Sequence, residues 1–108
     1  AISTYSDSRL VPRKVDPITV IDEVCRKFTV SKKDIVGPSR RQLLTTPRHI
    51  AMYLLHEDYN IPLSSVGKLL GKRDHSTVTN GVGKIRLGIL EDPSIRKTVL
   101  EIQQSLVS

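Results

Sequence analysis

Apolar residues recur along residues 16–108 at intervals of three and four positions, which is the spacing of one face of an α-helix. Strand-like alternation of apolar and polar residues does not appear. Proline, glycine and short polar residues interrupt the helical pattern at regular intervals. The pattern predicts an all-α domain of about six helices.

The first two helices have clear start signals. Asp16 is placed to cap the first helix, and Pro17 suits its first position. Ser31 and Asp34 resemble a capping box that opens a short helical turn, which Gly37 and the following proline end. The predicted core face of the first helix comprises Ile18, Ile21, Val24, Cys25 and Phe28.

Residues 38–46 are predicted to form a basic loop or a fraying helix start. Pro47, with Thr46 as its cap, can open a third helix, which the sequence Asn-Ile-Pro at 60–62 breaks. Its positions divide between two sides. One side holds Ile50, Tyr53, Leu54 and Glu57, the other holds Arg48, His49, Met52 and His56, and Ala51 and Leu55 widen the apolar face.

Residues 63–90 form two helical patterns joined by a tight Gly-Lys-Arg turn, which predicts a helix-turn-helix. Gly71 stops the first pattern and Asp74 caps the second. In the second helix a buried stripe is predicted opposite a small polar face. The stripe is Val78, Val82, Ile85 and Ile89, and the face is Ser76, Thr79, Asn80 and Gly83. A final helix after Pro93 has its seam at Ile95, Val99, Ile102 and Leu106.

The charge distribution indicates a phosphate-rich partner. The chain has 17 Lys and Arg against 11 Asp and Glu, a formal net charge of +6. The excess is concentrated on the helix-turn-helix, where the one acidic residue of 61–90 is Asp74. The basic residues there are Lys68, Lys72, Arg73, Lys84 and Arg86.

The start of the second helix carries side chains that can read base edges. An Asp accepts from cytosine N4, whereas His, Ser and Thr donate, accept or touch a thymine methyl group. Lys72 and Arg73 precede this helix, where they can hold phosphates. Double-stranded DNA is therefore the predicted partner.

Other chemistry is disfavoured. The single cysteine, Cys25, allows neither an internal disulfide nor a thiolate zinc site and suits a core position. Asp74, His75 and Ser76 are consecutive, so their side chains diverge on a helix and cannot form a triad. No phosphate-binding loop, membrane-length apolar run or signal peptide occurs. We expect a cytoplasmic protein without a cofactor, a metal site or catalytic activity.

Two long motifs resemble one family. GKRDHSTVTNGVGKI is similar to the signature Gly-Gly-Arg-Asp-His-Thr-Thr-Val followed by Ala-x-x-Lys-Ile of the bacterial chromosomal replication initiators of the DnaA family, and PRHIAMYLLHE is similar to their Pro-Arg-Gln-Ile-Ala-Met-Tyr-Leu stretch. The resemblance covers residues 17–108 and implies the family's C-terminal DNA-binding domain, domain IV, with a Trp-repressor-like helix-turn-helix core. It makes residues 1–15 the linker from an AAA+ ATPase domain absent from this sequence, and 16–108 the DNA-binding domain.

The resemblance also implies a partner and a set of contacts. The partner is the short asymmetric DnaA box of the replication origin, bound by a monomeric isolated domain, whereas the full-length protein would self-assemble there. Base contacts map onto Arg40 in the minor groove and onto Asp74, His75, Ser76 and Thr77 in the major groove. Backbone contacts map onto Arg48, His49, His56, Ser64, Arg73, Thr79 and Asn80, to which the turn adds Lys72.

The sequence departs from the family pattern at several of these positions. Ser76 replaces Thr, His49 replaces Gln, His56 takes a place often held by Lys or another polar residue, and Gly81 and Gly83 replace Ala and a larger polar residue. Two other functions stay open on the residues alone. One is a helix-turn-helix transcription regulator, which would bind a palindrome as a dimer. The other is a protein-interaction module that uses the terminal helix or residues 1–15.

Overall fold

Every regular element of the described residues, 16–38 and 42–107, is helical in the computed structural model. This confirms the all-α prediction with about six helices, while the predicted linker, residues 1–15, lies outside the described part of the chain. The described elements are α1 (Pro17–Phe28), α2 (Lys32–Val36), α3 (Gln42–Tyr53), α4 (Leu63–Leu69), α5 (His75–Glu91) and α6 (Pro93–Val107).

The predicted starts of α1 and α2 are correct. Asp16 is the N-cap residue of α1 and Pro17 occupies its first turn, although the Asp16 side chain makes no capping hydrogen bond. The Ser31 hydroxyl accepts from the Asp34 amide at 3.0 Å, as its predicted capping role requires. The local sequence therefore decides where these helices begin.

The core face of α1 differs from the prediction at one position. Ile21, Val24 and Cys25 are buried as expected, but Ile18 is 39% exposed and Val20 is buried in its place. The face that contacts α3 and α6 is therefore rotated toward Val20. Burial raises the pKa of the Cys25 thiol, which fits the predicted core role.

Helix α3 begins at Gln42 and not at Pro47, so of the two predictions for residues 38–46 the helix start is correct for residues 42–46. Pro47 lies inside the helix, where it lacks the amide that would donate to residue 43. The additional turn carries Leu44, which is 2% exposed. Burial of that side chain stabilises a turn that proline alone would disfavour.

The predicted polar side of α3 is largely buried. Met52 is 1% exposed and Arg48 7% exposed, because α3 packs against α1 and α2 on one side and α5 on another. A helix surrounded in this way has no fully solvated face. Helix α3 continues as a π-helical turn, Leu54–Asp58. The helical conformation then ends before Asn60 (φ 57°), as predicted.

Helices α5 and α6 bury the stripes that were predicted for them. Val78, Val82 and Ile85 are at most 4% exposed, and Ile89 is half-buried. The α6 seam buries Val99, Ile102 and Leu106, with Ile95 half-buried. Helix α5 packs along α3, so the core fixes the direction in which its opposite face points.

Candidate nucleic-acid interface

A tight turn joins α4 to α5 and sets the position of the first residues of α5. The Arg73 amide donates to the Gly67 carbonyl at 2.9 Å. A Cβ atom on Gly67 would lie 2.2 Å from the Arg73 carbonyl oxygen, and one on Gly71 would lie 2.0 Å from that of Val36. Gly71 also has φ 91°, which favours glycine. Both glycines are therefore required for the turn.

The first turn of α5 is capped by Asp74. Its carboxylate accepts from the Thr77 amide at 2.8 Å. Hydrogen bonds from the amide and the hydroxyl of Thr77 lower the pKa of Asp74, so this carboxylate is ionised at neutral pH. The predicted N-cap is thus confirmed, and Asp74 and Thr77 hold each other in place. Their roles as base readers stay predictions.

The surface of α5 that faces away from the core is polar and smooth. Residues 75–77, Thr79 and Asn80 are all exposed. The Thr79 hydroxyl donates to the His75 carbonyl at 2.9 Å, which keeps this side chain close to the helix. Apart from its chain neighbours and the nearby backbone of α5 itself, no described atom lies within 4 Å of the position that a Cβ on Gly83 would occupy. A helix face of this shape can approach another surface closely.

A basic groove lies beside the start of α5. It is formed by the α4 residues Ser64 and Lys68, by Lys72 and Arg73 in the turn, and by His75. Ser64, Lys72 and Arg73 are three of the predicted backbone contacts, and His75 is a predicted base reader. The fold therefore brings these five residues together on one surface, although most of α4 and the turn lie between Ser64 and His75 in the sequence. Their DNA contacts stay predictions.

Two arginines bind the C-terminal end of α2. Arg48 donates through Nε to the Ile35 carbonyl at 2.8 Å and through Nη2 to those of Asp34 and Gly37, at 2.7 and 3.1 Å. Arg73 Nη2 donates to the same Gly37 oxygen at 2.7 Å. The last carbonyls of a helix have no intrahelical partner, and these cations satisfy them.

This arrangement changes the interpretation of Arg48. The side chain was predicted to contact the DNA backbone, but it is buried and its donors point at backbone carbonyls. Burial and the neighbouring charge of Arg73 lower the pKa of Arg48. Arg48 thus joins α3 to α2, and a phosphate contact by this side chain is a prediction that its burial disfavours.

His49 lies where α3 meets α5. A Cβ on Gly81 of α5 would come within 2.8 Å of the ring. His49 also borders a small cleft with Arg73 and Thr77 at the start of α5. Burial lowers the pKa of His49, and the charges of Lys84 and Arg48 lower it further. The ring is therefore neutral at pH 7 in the free domain.

His56 lies in the π-helical turn, with its Nδ1 2.9 Å from the Ile61 carbonyl oxygen. Since a carbonyl only accepts, Nδ1 is the donor in this hydrogen bond. The neighbouring Glu57 forms an ion pair with Arg86 of α5. The contact of His56 with the DNA backbone stays a prediction.

Residues 16–38 and 42–107 have neither a cluster of metal ligands nor a membrane-spanning helix. These residues contain no group of three or more His, Cys, Asp or Glu side chains that could hold a metal ion. None of their helices is long and apolar enough to cross a membrane. The exposed start of α5 and its basic groove thus remain the candidate site.

The family described as Bacterial dnaA protein helix-turn-helix matches residues 17–85, which include both helices of the motif and the turn between them. The chain belongs to this family. The resemblance drawn from the GKRDHSTV and PRHIAMYL motifs to the C-terminal domain of DnaA is thereby confirmed.

Relatives of this DnaA-family chain include the chromosomal replication initiator protein DnaA of Thermomicrobium roseum, which is 41% identical over 100 residues, or 93% of this chain and 22% of the relative. The protein of the same name from Roseiflexus castenholzii is 38% identical over 89% of this chain and 20% of the relative. That from Lachnoclostridium phytofermentans is 39% identical over 74% and 18%. The chain thus spans about a fifth of the length of these relatives.

One residue of the DnaA-family site was not predicted from the sequence, and another lies outside the described residues. Lys68, which borders the basic groove, was counted only as part of the positive charge. Its spacing of four residues from Lys72 could have indicated that the two lysines share a surface, but the sequence does not give the direction of the turn between them. Arg40, the predicted minor-groove contact, lies outside the described residues and stays a prediction.

Proposed function

We propose that this domain binds double-stranded DNA at DnaA boxes of the replication origin and acts in the initiation of chromosome replication. The observation that carries the proposal is the exposed first turn of α5, residues 75–77, beside a groove that holds Lys68, Lys72 and Arg73. The start of a recognition helix is the part that enters the major groove. Membership of the DnaA helix-turn-helix family and the names of the relatives support the origin as the target.

His75 and Ser76 are the main base readers in this proposal. Both are exposed at the start of α5, whereas Asp74 and Thr77 are partly engaged by the cap that they share. A hydroxyl and an imidazole can donate to or accept from base edges. Arg40 reads the minor groove, and Thr79, Asn80, Ser64, His49 and His56 contact sugar and phosphate.

The proposed binding unit is a monomer on one asymmetric box, and the longer protein to which this domain would belong assembles on the origin in the cytoplasm. A transcription regulator of the helix-turn-helix class would instead bind a palindrome as a dimer. The stoichiometry on two duplexes separates the two functions. A 1:1 complex on a single box supports the initiator, and a 2:1 complex on a palindrome supports the regulator.

The test is a binding series by fluorescence anisotropy on two duplexes of equal length and composition, one with a DnaA box and one scrambled. We expect the box to be bound at least ~10³-fold more tightly at physiological salt. Both affinities should fall as salt increases, because phosphate contacts release counterions. Equal affinity for the two duplexes would refute the proposed function, while a protein-interaction module would bind neither.

A further inference from the structure

Lys72 has a backbone conformation that lysine rarely adopts. Its φ is 62°, in the left-handed region, whereas the signature that this chain resembles has glycine at the same position. For a residue with a Cβ atom this region is sterically strained, and such strain clusters at functional sites. The turn itself would be formed more easily by glycine, so the side chain of Lys72 indicates a function other than forming the turn.

The positive charge of Lys72 is available to a ligand. Lys72 and Lys68 are both exposed. Within the described part of the chain neither has an ion-pair partner, whereas Lys27, Arg26 and Arg86 are each paired with a glutamate. Two unneutralised ammonium groups thus border one groove.

Arg73, between Lys72 and the start of α5, is engaged differently. Its Nη2 donates to the Gly37 carbonyl at 2.7 Å, its backbone amide donates to Gly67, and its Nε is buried. Burial also lowers the pKa of Arg73, which shows the partial desolvation of the guanidinium. These contacts hold the turn against the end of α2.

We propose that Lys68 and Lys72 bind the DNA phosphates beside the start of α5, and that Arg73 is a positioning residue that holds the turn on α2. This inference rests on the proposed DNA-binding function and deepens it. The two lysines line the same groove as Ser64 and as His75, the predicted base reader. Lysine recognises a phosphate as a point charge and needs no fixed geometry, which suits a flexible side chain on a strained turn.

The test uses the whole 108-residue chain and measures the slope of log affinity against log salt on the box duplex and on the scrambled duplex. The variants are Lys68→Ala, Lys72→Gly, Lys72→Ala and Arg73→Gln, with Lys97→Ala on α6 as a control that removes one positive charge away from the groove. Thermal melts followed by circular dichroism accompany each variant.

Each lysine variant should reduce the absolute value of this negative slope by about 0.9 on both duplexes, which is the value for one phosphate neutralised. Lys72→Gly should also melt a few degrees higher than Lys72→Ala, because glycine accepts the positive φ. Arg73→Gln should melt lower than the parent chain and keep the parental slope.

The proposal is overturned if both lysine variants keep the parental slope, if Arg73→Gln reduces its absolute value by about 0.9, or if Lys97→Ala reduces it as much as they do. These slopes are independent of box preference, since the phosphates are the same in both duplexes. Loss of box preference in the parent chain would therefore refute the proposed function alone, while absence of all DNA binding would refute both.

Discussion

Two glycines of α5 provide a matched test of how this helix packs. A Cβ atom on Gly81 would lie 2.5 Å from the Met52 sulfur and 2.8 Å from Cδ2 of His49, both on α3. A Cβ on Gly83, two residues later, would have no described atom within 4 Å other than those of its chain neighbours and the nearby α5 backbone. The same substitution, Gly→Ala, therefore adds one methyl group to a crowded interface in one case and to open space in the other.

The expected magnitudes follow from this difference. Replacing a mid-helix glycine by alanine stabilises a helix by about 0.5–1 kcal/mol. Gly83→Ala should show this gain in full. Gly81→Ala should combine the same gain with an overpacking cost of about 1–3 kcal/mol, since Met52 is 1% exposed and has little room to move. The helix-propensity contributions cancel between the variants, so their unfolding free energies should differ by about 1–3 kcal/mol.

Urea unfolding and thermal melts followed by far-UV circular dichroism measure this difference. At about 4–8 °C for each kcal/mol, Gly81→Ala should melt at least ~4 °C below Gly83→Ala. A double-mutant cycle with Met52→Ala assigns the cause, because a shortened side chain at position 52 should relieve the clash and give a coupling above about 0.5 kcal/mol.

The reasoning is refuted if Gly81→Ala is as stable as Gly83→Ala, or if its effect simply adds to that of Met52→Ala. Either result would mean that α5 does not lie against α3 at this point, and the orientation of the recognition face would then be wrong. Box affinity should be unchanged or slightly better in Gly83→Ala, because its methyl group leaves the polar face smooth.

Five further predictions concern the site and its support. His75→Ala should weaken box binding by about 1–3 kcal/mol with little effect on a scrambled duplex; equal weakening of both would show that His75 is not a base reader. Asp74→Ala should lower the melting temperature at neutral pH. Since the pKa of Asp74 is lower in the folded chain than in the unfolded chain, the stability that the Asp74 carboxylate contributes should disappear as pH falls from about 4 through the folded pKa. Arg48→Met should destabilise the fold by about 1–3 kcal/mol, because the Ile35 carbonyl loses its buried donor, and a chain with parental stability but weak DNA binding would restore Arg48 as a phosphate contact. Because the folded pKa of His49 is lowered, stability should fall as pH drops below about 6.5, where the unfolded chain protonates first, and His49→Gln should remove this part of the pH profile. Arg40→Ala should weaken binding most on boxes with an A·T-rich end, and uniform weakening would make it a phosphate contact.

Local chemistry was sufficient to locate the motif in the sequence. Asp74 caps α5 because its carboxylate accepts from the Thr77 amide, which has no intrahelical partner. Gly71 ends the preceding helix because its positive φ is open to glycine, and the stripe of Val78, Val82 and Ile85 is buried because its spacing matches one helix face. These features depend on residues within one or two turns of each other, so the sequence alone determined them.

The environment of α3 could not be read in the same way. Its polar residues indicated a solvated side, yet Met52 and Arg48 are buried because α5 and α2 cover it. The extension of the helix to Gln42 depends on burial of Leu44, which outweighs the local effect of Pro47. Both outcomes depend on which distant segments pack against α3, and no local pattern encodes that.

The tertiary structure likewise decided which basic residues hold the fold together and which are exposed near the start of α5. From the sequence, Arg48, Lys72 and Arg73 were equivalent candidates for phosphates. In the fold, the guanidinium groups of Arg48 and Arg73 donate to carbonyls of α2, whereas Lys72 and Lys68 are exposed beside the start of α5. The sequence determined the sign of the charge near the recognition helix. Only the packing of α2 against the turn determined which cations remain available, because unsatisfied helix-end carbonyls bind the donors that the fold brings within reach.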